Sequence, residues 1–177
     1  PAIFLIILGV YLTIRKQLIP LIITMIIAAM VNEKVVLVLP FYFFFNIKEI
    51  GFKKSFMNSV IIFVAFVAVS LIVRANTINA DSSFMWTVST SSLFDNLTRI
   101  RTYISLALTA GIPVLIFALT YRRIDFKQSH VFGFGMGAIF VGLMIIYSLT
   151  AAYTDGRFAW YLYPFILPLC AYGIERK

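Results

Sequence analysis

Charge is scarce in this chain and cysteine nearly absent. Of 177 residues, 12% are charged against 62% hydrophobic, and those few charges sit in short breaks between long apolar runs. Val60–Val73, Tyr103–Leu119 and Val131–Leu149 contain no Asp, Glu, Lys or Arg. A water-soluble protein of this size would expose that surface and precipitate, whereas a helix of about 18 or more apolar residues suits roughly 30 Å of hydrocarbon. The single cysteine, Cys170, excludes an internal disulfide, and its apolar neighbourhood beside Pro168 predicts an inert packing role. The single histidine, His130, has no second His, Cys or carboxylate at ligand spacing, which sets aside a protein-only zinc site and suits an interfacial position. A phosphate-cradling glycine loop and a nucleophile elbow are missing too.

What is present is a basic excess, 15 Lys+Arg against 7 Asp+Glu, a net charge of +8. Nucleic-acid binding needs a solvated basic face. In an apolar chain the excess instead suits anchoring at the cytoplasmic surface and contact with anionic headgroups. The chain opens on Pro1 inside the apolar stretch Ala2–Ile14, without the charged start of a signal peptide, and is expected to belong to a longer protein.

Seven apolar segments can be marked, at 2–13, 18–31, 35–46, 56–73, 103–120, 131–149 and 158–174. The first three are short for spanning helices, and the last four are long enough. The expected fold is therefore an all-α, polytopic integral membrane helix bundle of about six or seven segments, some short or broken, forming one transmembrane domain over 1–177. If the breaks alternate sides, ten basic residues fall on one side: Arg15, Lys16, Lys48, Lys53, Lys54, Arg122, Arg123, Lys127, Arg176 and Lys177. Five fall on the other: Lys34, Arg74, Arg99, Arg101 and Arg157. The positive-inside rule makes the first set cytoplasmic, with the C-terminus inside and the chain multi-pass in the cytoplasmic (inner) membrane.

Residues 74–102 read as an extracytoplasmic loop carrying an interfacial helix, since Phe84, Met85, Trp86, Leu93 and Phe94 argue against plain disorder. Asp95 is placed to N-cap a short helix running into Arg101. Asn96-Leu97-Thr98 matches a glycosylation acceptor. Gly133 and Gly137, at GxxxG spacing, permit close helix approach, either within the protein or in a dimer. A dinucleotide-loop reading of Gly133-Phe-Gly135-Met-Gly137 fails because the glycines lie inside an apolar span.

Two polar breaks carry chemistry. Asn32-Glu33-Lys34 reads as a polar turn with an Asn cap, or as a headgroup-level site where Glu33 orients a ligand or pairs with a distant cation. Asp155-Gly156-Arg157 opens the last segment ahead of Trp160, Tyr161 and Tyr163. There Arg157 can hold a phosphate through its two-pronged guanidinium, or pair with Asp155 as an interfacial anchor. The same choice applies to Arg74, Arg99 and Arg101.

The stretch MVNEKVVLVLPFYFFF resembles one found in GT-C polytopic glycosyltransferases, where short helices lead into a Lys-Glu, Arg-Glu or Asn-Glu pair. The ending DGRFAWYLYPFILPLCAYGIER is similar to their late segment, in which an Arg enters a final helix ahead of Tyr and Pro. The similarity covers most of 1–177, as the middle and C-terminal part of that family's membrane domain. It implies transfer of a sugar from a polyprenyl-phosphate donor to an acceptor outside the membrane. The family's catalytic carboxylate would lie upstream of Pro1, leaving Glu33 and Arg157 as supporting residues. Within the chain, the outer acids Asp81, Asp95 and Asp155 are the catalytic candidates. Glu33, Arg74, Arg99, Arg101, Arg157 and Tyr161 are the substrate-binding candidates. No cofactor is evident, and nothing in the sequence supports a divalent metal. The alternatives are a transporter or flippase component, or a non-catalytic assembly subunit.

Overall fold

The computed structural model describes residues 1–76, 90–150 and 156–175, and all regular structure among them is helical. The chain divides into two compact units. The first comprises 1–80 with 126–137, the second 81–125 with 138–177.

In the first unit α1 (Ala2–Ile14) and α2 (Leu18–Val31) form a helical hairpin. Lys16 closes α1 in the left-handed region at φ 58°, while the amides of Lys16 and Gln17 donate back to the carbonyls of Thr13 and Leu12. Those two bonds satisfy carbonyls that the helix end would otherwise orphan. A 3-10 turn (Glu33–Leu37) leads into α3 (Val38–Ile50), and Gly51, at φ 82°, turns the chain into α4 (Phe52–Asn76). α4 packs on α2 and α3, α1 packs on α2 and α3, and Ile6, Leu21, Met25, Val38, Phe41 and Ile62 are buried in this unit. The start of α7 (Ser129–Ser148) joins α3 through rings: Phe41 and Phe134 lie 5.0 Å apart, and Phe44 and Phe132 5.6 Å. A Cβ on Gly133 would meet the Cα of Phe45 at 2.8 Å, so glycine is what allows this approach.

In the second unit α5 (Thr90–Thr98) packs on α6 (Ile100–Thr120), and a 3-10 turn (Gly156–Leu162) leads into α8 (Tyr163–Glu175). α6 and α8 run parallel: Tyr163 bonds Thr109, Cys170 bonds Pro113, and Gly173 abuts Thr120. Pro113 has no N–H to donate to Thr109, and the Tyr163 hydroxyl donates to that freed carbonyl instead. Cys170 is buried, with its Sγ 3.2 Å from the Pro113 carbonyl oxygen.

Among the described residues, three helices are long and apolar enough to cross a membrane: 52–76, 100–123 and 129–148. α4, with 25 residues, extends about 37 Å. Only 11% of the apolar window in α4, and likewise in α6, is buried. On α6, Leu108 is 79% and Leu119 73% exposed. Such faces are compatible with lipid and not with water. The protein is an all-α membrane protein.

The expectation of four long spans needs correction at the last. Segment 158–174 is a 3-10 turn followed by a 13-residue helix. Pro164 lacks an amide for the carbonyl four residues back and its ring crowds that position, so the α-helix begins at Tyr163. Within the expected loop 74–102, α4 continues to Asn76, the helix 90–98 lies in the part read as carrying a short helix, and 77–89 lie outside the described residues. Asp95 lies within α5 rather than capping it, its carbonyl accepting from the Thr98 hydroxyl and the Arg99 amide.

Candidate functional site

Two polar ends gather the residues singled out in the sequence, one on each unit. On the first, Asn32 takes extended backbone after α2 and its Oδ1 accepts from the Lys34 amide at 2.9 Å. This cap starts the 3-10 turn that carries Glu33 to the surface. Arg74, in the last turn of α4, meets it: Glu33 Oε1 and Arg74 Nη2 are 2.5 Å apart. Both readings of this break hold together, the capped turn and the pairing of Glu33 with a distant cation. The cation also sits where the α4 dipole presents its negative end.

Lys53 and Arg74 are 21 residues apart on one helix, or about 32 Å. At the Lys53 end, Lys16 pairs with Glu49 at 2.7 Å and Lys48 donates to the Lys127 carbonyl at 2.5 Å. Each of these links joins breaks that alternation puts on a common side: Glu33 with Arg74, and Lys16 and Lys48 with Glu49 and Lys127.

On the second unit, Asn96 fastens α5 by donating to the Leu149 carbonyl at 2.9 Å, and Tyr103 donates to Leu97 at 2.7 Å. Asn96 is 2% exposed, so its amide is a structural donor and not an open glycosylation acceptor. Arg99 caps α6 from an extended conformation and Arg101 follows in its first turn. Because α6 and α8 are parallel, with Tyr163 level with Thr109, the 156–162 turn runs beside the first half of α6. Arg157 therefore enters at the end that carries Arg99 and Arg101. All three are exposed. Trp160 is exposed, 6.0 Å from the Tyr163 ring, and Tyr161 is half-buried. Thr102, a residue missed in the sequence reading, is 1% exposed and its hydroxyl has no hydrogen-bond partner.

Of the three candidate acids, Asp95 is exposed on α5, while Asp81 and Asp155 lie outside the described residues. Arg157 paired to Asp155 is thus an expectation outside them too. Among the described residues no three of His, Cys, Asp or Glu come together as a metal-binding group. Arginine side chains such as these can bind a doubly charged oxyanion through their two-pronged guanidinium groups.

The fold is that of an all-α membrane protein with arginines exposed on the second unit. No protein-family model matches the chain, and neither a curated protein nor a solved structure matches it.

Proposed function

We propose that the protein is a membrane glycosyltransferase of the GT-C type, moving a sugar from a polyprenyl-phosphate donor to an acceptor on the extracytoplasmic side. The observation that carries the reading is the packing of the 156–162 turn, which carries Arg157, beside α6, whose first turn follows Arg99 and holds Arg101. The side follows from the ten-to-five distribution of basic residues, which also puts the C-terminus in the cytoplasm of an inner-membrane, multi-pass chain.

In the proposed reaction a carboxylate takes the proton of an acceptor hydroxyl, and the freed oxygen attacks the anomeric carbon. The bond from that carbon to the donor phosphate breaks with its electron pair going to the phosphate. The arginines stabilise the charge that develops on the departing polyprenyl phosphate. Asp95 is the described carboxylate on this end, with Asp81 and Asp155 the further candidates. Glu33, neutralised by Arg74, suits a supporting role better than that of a base.

The test is binding and transfer with the purified protein in bilayers containing a radiolabelled polyprenyl-phosphate sugar. Arg101→Ala and Arg157→Ala are each expected to weaken donor binding by roughly tenfold or more, as expected for loss of a hydrogen bond to a charged group. Arg122→Ala, on the opposite side by alternation, is expected to leave binding unchanged. Failure of the unaltered protein to bind the donor rejects the proposal.

A further inference from the structure

At the Lys53 end of the first unit the basic residues fall into two groups. Lys16 and Lys48 are committed to holding helix ends together, through Glu49 and the Lys127 carbonyl. Lys53 and Lys54 are exposed in the first turn of α4 and have no ion-pair or hydrogen-bond partner among the described residues. They border an open depression of about 500 Å3 whose wall is formed by Phe52, Met57 and Ile61. The first helical bond of α4 runs from the Ser55 amide to the Gly51 carbonyl. The amides of residues 52–54 therefore precede the helix's own bonding and add a positive end to the two ammonium groups. Away from the lysines the wall continues into the exposed apolar side of α4, where Val60 is 41% and Val64 57% exposed.

We propose that this depression is a binding site for an anionic glycerophospholipid, with the phosphate on Lys53 and Lys54 and the acyl chains along Met57, Ile61 and Val64. Charge and shape together select this occupant. A soluble phosphate meets the lysines but leaves the apolar wall bare. A zwitterionic lipid covers the wall but brings its own cation towards the lysines. An anionic lipid satisfies both halves, and it belongs to the leaflet where the basic breaks lie. The inference does not rest on the proposed enzymatic activity.

The full chain is reconstituted in nanodiscs of phosphatidylcholine with a minor fraction of phosphatidylglycerol, and co-released lipids are read by native mass spectrometry. The expected result is enrichment of phosphatidylglycerol over its bulk fraction. Lys53→Gln or Lys54→Gln should each lower that enrichment by roughly fivefold, the effect expected of one surface lysine on an anionic membrane. The double Lys→Arg variant should retain it, and Lys16→Gln should not reduce it. Four outcomes overturn the proposal: no enrichment, enrichment unaltered in the Lys→Gln variants, an equal loss in Lys16→Gln, or displacement of the lipid by millimolar inorganic phosphate.

Discussion

Individual residues in this protein act by settling what the helices leave open. Glu33 and Arg74 are 37% and 56% exposed, so in water such a pair contributes about 0–1 kcal/mol. Its value is positional: it ties the break after α2 to the end of α4. Single Glu33→Gln and Arg74→Gln changes should therefore lower stability only slightly. Their double-mutant cycle in detergent denaturation should give a favourable coupling of at most about 1 kcal/mol, and an unfavourable coupling would deny the pair. The sequence named both residues and even the possibility of a distant partner for Glu33. It could not name the partner, because pairing depends on how far α4 runs past the apolar segment. Glu49 was passed over for a related reason: a lone acid in a basic break looks like solvated surface until Lys16 is seen 2.7 Å away.

At the scale of helices, steric allowance decides where elements meet. Gly133 and Gly142 lie in the same apolar segment, but their surroundings differ. A Cβ on Gly133 collides with the Phe45 backbone, whereas one on Gly142 meets nothing within 4 Å. Gly133→Leu should cost about 1–3 kcal/mol by overpacking, while Gly142→Leu should be tolerated. Melting temperatures of the two variants in the same detergent decide this, and equal losses would argue that the α3–α7 approach is not as described. Apolar periodicity made the long helices legible, because α4, α6 and α7 are uninterrupted. It misjudged segment 158–174, where composition says membrane but Pro164 prevents a continuous α-helix. The Asp95 cap failed similarly: its residue type suits a cap, but the helix already begins at Thr90.

Across the whole molecule, sidedness can be examined directly. Cysteine is nearly absent and Cys170 is buried, so a Cys170→Ala background permits single reporters. In sealed vesicles, Asn76→Cys and Lys53→Cys, at opposite ends of α4, should react with a membrane-impermeant maleimide from opposite sides. Reaction of both from one side would refute a spanning α4 and with it the alternation that separates the arginine end from the lysines. Membrane residence was legible from the missing charges. Arg99, Arg101 and Arg157 are legible in the sequence only as residue types, since the packing of the 156–162 turn beside α6 is a tertiary fact. The acids at 81 and 155 lie outside the described residues, and Asp95 is the described candidate acid.

The hydroxyl of Tyr163 and the ring of Pro113 are linked through one carbonyl, that of Thr109. Tyr163→Phe strands the Thr109 oxygen in an apolar setting and should cost about 1–3 kcal/mol. In a Pro113→Ala background the restored amide can serve that oxygen, and the same tyrosine change should become nearly neutral. The two positions should therefore show strong epistasis. In a diverging lineage the proline is expected to be gained only after the tyrosine, and the tyrosine to be lost only after the proline.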